Sequence, residues 1–280
     1  MSIRELDAAV IRDKVADMCI KASYTLCPSV KAMIGEYSKT DSGEVQRDIF
    51  TMLCRNAEIA EDKRLPLCQD TGMAVLFIDI GQDVHITGSL TDAVNEGVRR
   101  GYKDGYLRKS VAQPITRVNT GDNTPAVIHY NIIPGDRVRI TLLPKGFGSE
   151  NMSAIGMLKP SDGREGIVSF VVDTVRKAGG NPCPPTVVGV GIGGTFEWAA
   201  YMAKHALSRR TGEPSSDTEL AALEALMLEK INGLGIGAQG FGGAITSFAV
   251  HCESYPTHIA GLPVAVNIQC HCARHQYAEI

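Results

Sequence analysis

The chain is poor in aromatic residues (6%, with one tryptophan) and has no apolar run longer than about eight residues. A membrane-crossing helix needs about twenty, so none is predicted. The start lacks the basic, apolar, small-residue pattern of a secretory signal. Basic residues nowhere cluster with aromatics, and 28 Lys and Arg against 31 Asp and Glu leave a net charge of −3, which argues against a nucleic-acid partner. There is no internal repeat. Composition, 44% hydrophobic and 21% charged, excludes a disordered, collagen-like or coiled-coil chain. The expectation is a cytoplasmic globular protein of 280 residues with a sizeable core.

Glycine, by contrast, is plentiful at 29 residues, and there are eight cysteines. Many glycines mean backbone that turns tightly or approaches something closely. In a reducing compartment eight cysteines are not a disulfide framework. They are either small buried hydrophobes or, for a few, metal ligands.

The spacing predicts a helical section over residues 1–64, followed by mixed strands and helices over 65–280. Ser2-Ile3-Arg4-Glu5 reads as a capping box before Leu6, Val10, Val15, Met18 and Cys19 at helical spacing. A second helix is predicted over Gly43 to Ala60 with Val45, Ile49, Met52 and Leu53 inward. Ala74 to Ile80 reads as a strand that Val84 to Thr87 could join, and a helix follows from Asp92. Ala126 to Ile133 and Arg137 to Leu143 flank Pro134-Gly135-Asp136, a hairpin signal. Later come helices over Gly163–Ala178, Thr195–Ser208 and Glu219–Ile231, and strands over Thr186–Val190, Ile245–Val250 and Val264–Ile268. No regular βαβ rhythm is present, so the expected class is α+β, an irregular mixed α/β fold.

Several segments can carry chemistry. Leu67-Cys68-Gln69-Asp70-Thr71-Gly72 offers a thiol, an amide and a carboxylate at an element boundary, or else an Asx-type turn. Pro144 to Asn151 sets glycines beside Lys145 and Ser149, a pattern that can present backbone N–H groups to an anion. Cys183 stands between prolines, which would aim its thiol rigidly. Gly189-Val190-Gly191-Ile192-Gly193-Gly194 matches the dinucleotide fingerprint. The acid expected some twenty residues on is replaced by a turn, so a nicotinamide-dependent dehydrogenase is disfavoured. Anion binding and simple close packing of helix on strand remain as alternatives. Cys270-His271-Cys272 with His275 could bind zinc, as in a zinc-stabilised interaction module, although the spacing is unusual for it.

Taken together, five ordered segments resemble class I, iron–sulfur fumarate hydratases in their N-terminal part, and equally the α subunit of L(+)-tartrate dehydratases. They are Cys68 to Gly72, Asn119 to Ala126, Lys145 to Asn151, Cys183-Pro184-Pro185 with the glycine run, and Leu262 to Ala265 leading to Gln269-Cys270-His271. The resemblance implies a [4Fe–4S] cluster on Cys68, Cys183 and Cys270, with Cys272 as the rival third ligand. It implies substrate contact by Gln69, a coupled acid/base pair in Asp70 and His258, and carboxylate binding by Arg108 (Arg117 as second choice) and by backbone around Gly146 and Gly148. The implied reaction is reversible hydration of fumarate to L-malate, a tricarboxylic acid cycle step, or dehydration of tartrate to oxaloacetate. The part that would carry further catalytic groups is absent from this sequence. A separate β subunit is therefore expected to complete a hetero-oligomer.

Overall fold

The computed structural model describes residues 3–40 and 43–280. The fold is mixed α+β and divides into two compact units, each assembled from discontinuous segments. Among the described residues no helix is long and apolar enough to cross a membrane.

The first unit comprises residues 1–27, 56–147 and 274–280. The capping box expected at Ser2 begins outside the described residues. Within them, Arg4–Asp7 is a strand (β1), and helix α1 (Ala8–Tyr24) starts under Asp7, whose side chain accepts from Ala9 N–H at 2.8 Å. Strand β2 (Met73–Gly81) is central. It pairs parallel with β4 (Val127–Ile133) and antiparallel with β5 (Val138–Lys145), and β10 (Gln276–Glu279) adds to the outer edge of β5. Strand β3 (Val84–Thr87) pairs with β1, not with β2 as expected.

The expected hairpin across Pro134–Asp136 does not form either, because β2 lies between its two arms. The end of β2 takes the hydrogen bonds a hairpin would make: Gly81 N donates to Arg137 O and Gln82 N to Ile133 O, both at 2.8 Å. Helices α1 and α4 (Leu90–Asp104) cover Ala74, Leu76 and Ile78 of β2. They touch backbone to backbone at Gly97 and Gly101, where a Cβ would meet Arg12 O at 2.5 Å and Ala16 O at 2.8 Å.

The second unit comprises residues 28–55 and 148–273. Its sheet runs β6 (Ala154–Leu158), β9 (Leu262–Gln269), β7 (Thr186–Gly193), β8 (Ser247–Tyr255), with β7 and β8 parallel and the other pairs antiparallel. Helices α6 (Gly163–Ala178) and α8 (Thr218–Asn232) supply Val171, Val175, Met227 and Ile231 to the main core. Helix α7 (Phe196–Ala206) packs with Ala199 and Ala203 against Ala265 of β9.

Helix α2 (Pro28–Thr40) lies in this unit, as does the first part of α3 (Glu44–Lys63). The inward face of α3 differs from the expected one. Val45 and Met52 are exposed, while Gln46 and Phe50 are buried. Gln46 is inside because its Oε1 accepts the Ala238 N–H at 2.7 Å, and Phe50 packs on Tyr37 and Phe248.

Glu224 of α8 is buried and accepts from Cys252 N (2.6 Å), Ser215 N (2.9 Å) and Arg209. Glu224→Gln keeps the shape but removes the charge from these bonds. It is expected to cost about 2 kcal/mol, read as a lower urea midpoint at unchanged slope.

Candidate functional site

In the first unit, the Cys68–Gly72 loop joins α3 to β2. Its entry is pinned by Leu67, whose N–H donates to Ser23 O at 2.9 Å and whose carbonyl accepts from Asn56 Nδ2 at 3.0 Å. Asp70 closes an Asx turn, accepting Gly72 N–H on Oδ1 at 2.9 Å. Its Oδ2 accepts the N–H of Phe147, the first residue of the one-turn helix α5 (Phe147–Glu150), also at 2.9 Å. The amide between Gly146 and Gly148 thus binds the protein's own Asp70 carboxylate.

The Cys68 Sγ accepts from Asp70 N–H at 3.4 Å, and both Cys68 and Gln69 are exposed. Arg108 is exposed, and its carbonyl accepts from Thr71 Oγ1 at 3.1 Å, which sets it beside the loop. Arg117 sits on a turn at φ +59°.

Four residues that sequence reasoning did not assign also hold this loop. Tyr102, buried, has its hydroxyl 2.9 Å from the carbonyls of Thr71 and Gly72 and donates to one at a time. Asn123 donates to Gly72 O at 3.2 Å and accepts Ser110 N–H at 2.7 Å. Arg274 donates to Asp70 O at 2.5 Å. Gly72, at φ +81°, lets the chain pass Lys145, whose N would lie 2.8 Å from an added Cβ. The strand pairing of Met73 with Lys145 brings that contact about. Gly72 and Asn123 lie in segments the sequence singles out, whereas Tyr102 and Arg274 carry no such signal.

In the second unit, Cys183 follows α6 in a turn closed by its own N–H to Gly180 O (3.1 Å), with its backbone at φ +53°. Its carbonyl accepts His271 N–H at 3.2 Å and lies 3.0 Å from His271 Nδ1. The structure therefore brings the Cys183 turn and the Cys270–His271 turn together within this unit. Gly148 also abuts this region: a Cβ there would stand 3.8 Å from Asn181 O.

His258 is exposed on the β8–β9 connection. Its Nδ1 accepts Ala260 N–H at 3.2 Å, so in the neutral ring the proton is on Nε2. With Arg164, Ile192, Glu219, Leu223 and Leu262 it lines a cavity of about 470 Å³.

Burial sorts the thiols. Cys68 and Cys183 are exposed, Cys270 and Cys54 half-buried, and Cys19, Cys27, Cys252 and Cys272 buried; none is in a disulfide. Burial pushes the Cys19 and Cys27 thiols up to about 12 and raises that of Cys252 further. These three are fully protonated near neutral pH and poor ligands there. By ligand chemistry, though not by an assembled geometry, the donor set suits an iron–sulfur group: the three motif loops offer soft thiols, two exposed and one half-buried. Brief iodoacetamide treatment of the metal-free native chain at pH 8 is expected to label Cys68 and Cys183 and to spare Cys19, Cys27 and Cys252, as read by peptide mass spectrometry.

The other sequence readings fare differently. Gly189 and Gly191 lie within β7, and a Cβ on them would stand 2.0 Å from Ala203 O and Ala199 O of α7. Close packing therefore accounts for these two glycines, leaving no space for a dinucleotide against them. In the tail, Cys272 is buried and His275 has its Nδ1 3.4 Å from Cys27 Sγ. Among the described residues no group of three or more His, Cys, Asp and Glu is arranged to hold a metal ion.

Residues 12–279 match the model of the family described as fumarate hydratase (Fumerase). The chain is 43% identical, over 96% of its length and 97% of the relative's, to a Methanocaldococcus jannaschii protein named "Putative L(+)-tartrate dehydratase subunit alpha". It is 30% identical to the L(+)-tartrate dehydratase subunit alpha of Escherichia coli (strain K12) and to that of Shigella sonnei, covering 91% of this chain and 86% of each relative. With a family model spanning nearly the whole sequence and relatives matched along most of theirs, the chain belongs to the fumarate hydratase (Fumerase) family of hydro-lyases.

Proposed function

We propose that the chain is the α subunit of an iron–sulfur hydro-lyase acting on a four-carbon dicarboxylate, with Cys68, Cys183 and Cys270 holding a [4Fe–4S] cluster. The observation that carries this reading is that Cys68 and Cys183 are exposed and Cys270 half-buried in the three motif loops, while Cys19, Cys27, Cys252 and Cys272 are buried; Cys54, also half-buried, lies on α3 outside those loops. When bound, a cluster on three thiolates leaves one iron open as a Lewis acid for a substrate hydroxyl.

The chain's own groups would do the rest. Arg108 offers an exposed guanidinium to a substrate carboxylate, and Gln69 offers an exposed amide. Asp70, oriented by two backbone N–H groups, and His258, with its proton on Nε2, are the acid/base pair.

The family's reaction is hydration of fumarate to L-malate. The names of the relatives favour a second reading, dehydration of L(+)-tartrate to oxaloacetate. The two substrates differ in hydroxylation alone, a distinction one hydrogen-bonding group can enforce, and a β subunit could supply that group. That subunit would make the active enzyme a hetero-oligomer, and this chain alone is expected to turn over neither acid.

The test is iron and acid-labile sulfide per chain after anaerobic reconstitution. Turnover of fumarate and tartrate is then assayed with and without the co-expressed partner. About four of each per chain is expected from the cluster type, with activity only in the pair and on one acid. Absence of sulfide would overturn the cluster, and full turnover by the isolated chain would overturn the two-subunit reading.

A further inference from the structure

The run Gly233–Gly243 holds six glycines, and neither the family match nor the site described above gives them a task. The loop is held at its base by Gln46, which accepts Ala238 N–H at 2.7 Å, and by Thr246, whose Oγ1 accepts Gly237 N–H at 3.3 Å. It folds back on itself, with Gly242 N–H donating to Ile236 O at 2.8 Å.

At its tip the loop meets the Cys183 turn backbone to backbone. A Cβ on Gly240 would stand 2.8 Å from the Cα of Gly180, and one on Gly180 would stand 3.2 Å from the Cα of Gly240. Gly180 is the residue whose carbonyl closes the Cys183 turn. Beside this contact, Gln239 adopts φ +54°, a left-handed conformation uncommon for a non-glycine residue. In that conformation both its backbone N–H and its side-chain Nε2 donate to Pro184 O, each at 2.8 Å. The same Nε2 lies 3.1 Å from His271 Nδ1 and donates to it when the ring proton is on the histidine Nε2; in the other tautomer Nδ1–H donates to Cys183 O instead. Gln239 thus reaches the residue after Cys183 and the residue after Cys270 with one amide.

We propose that Gln239 is a positioning residue: borne on the glycine loop, it clamps the Cys183–Pro184 turn to the Cys270–His271 turn and fixes the spacing of two thiols before any cluster is bound. Only small residues at 180 and 240 let the loop come this close. A left-handed backbone at 239 is needed to aim main-chain and side-chain donors at one carbonyl. This role rests on the cluster reading for its purpose but not for its geometry, since the bonds named join residues of one unit.

The test uses the full chain without metal. Gln239→Asn tolerates the left-handed backbone, so the fold is kept, but its amide is one methylene too short to reach Pro184 and His271 together. Gln239→Gly serves as a second variant that keeps the backbone donor and drops the side chain. Amide hydrogen exchange at His271, whose N–H donates to Cys183 O, reads the clamp directly. Protection there is expected to fall about ten-fold or more in both variants, with Val264–Ile268 in β9 unchanged.

In reconstituted protein, both variants are expected to lose iron faster on brief oxidation and to show a broadened three-iron EPR signal. His271 protection equal to that of the unaltered chain would overturn the proposal, whatever the iron content. A fall in protection, with no sulfide retained even by the unaltered chain, would leave the clamp established and the cluster reading overturned.

Discussion

Gly191→Ala is expected to destabilise the chain by at least about 3 kcal/mol, the upper end of what forced overpacking costs. The reason is geometric. Gly191 is buried in β7, and an added Cβ would lie 2.0 Å from Ala199 O, with Ala203 N at 2.8 Å. Both atoms belong to the backbone of α7, so no side chain can swing aside. The helix must shift as a whole, and with it the Ala199, Ala203 and Ala265 contact. For a chain of this size the loss corresponds to a fall in Tm of about 6–12 °C.

Gly35→Ala is the control. Gly35 lies inside α2 with nothing within 4 Å of an added Cβ, so alanine there should be neutral or stabilising by up to about 1 kcal/mol. Thermal melts of the two variants give opposite signs if the reading is right. An unchanged melt for Gly191→Ala would return the glycine run to the ligand-binding alternatives.

The second large effect separates the two cysteines of the C-x-C pair. Cys270→Ser is expected to reduce bound iron and to lower turnover of the assembled enzyme by about 10³-fold or more. The basis is that Lewis-acid assistance supplies several kcal/mol and each 1.36 kcal/mol is ten-fold in rate. Cys272→Ala should keep both, at a cost of about 1 kcal/mol in stability, the typical effect of a point change. The difference follows from orientation. Cys270 is half-buried and receives Gln269 Nε2 at 3.4 Å, while Cys272 is 5% exposed and turned into the core. Iron analysis and rates on both variants would show equal losses if the assignment to Cys270 were wrong.

What was legible in the sequence was local. Helix α6 was read at its observed bounds, Gly163–Ala178, because an apolar period of 3.6 stops at Gly179, which adopts φ +54°. The hairpin across Pro134–Asp136 was misread for a complementary reason. A turn signal says that the chain reverses, but it carries no information on whether a strand fifty residues earlier slips between the arms. On α3 the apolar residues Val45 and Met52 pointed to the wrong face, since burial of Gln46 is repaid by the amide of Ala238, nearly two hundred residues away.

The site divides in the same way. The Cys68 and Asp70 loop was visible as a motif, whereas Tyr102, Lys145 and Arg274 reach it through sheet pairing and the far end of the sequence. No short-range pattern encodes such contacts.

The edge strand β10 has a consequence for synthesis. During translation, the second unit has all its segments once residue 273 is made. The first unit must wait for Gln276–Glu279 to zip onto β5, and for Arg274 to reach the carbonyl of Asp70. While the ribosome still covers those residues, the loop bearing Cys68 lacks one of its anchors and the sheet behind it is a strand short. A chain truncated after residue 273 would therefore hold every segment of the second unit while its Cys68 loop lacks the Arg274 anchor, and limited proteolysis of it should cut the first unit preferentially.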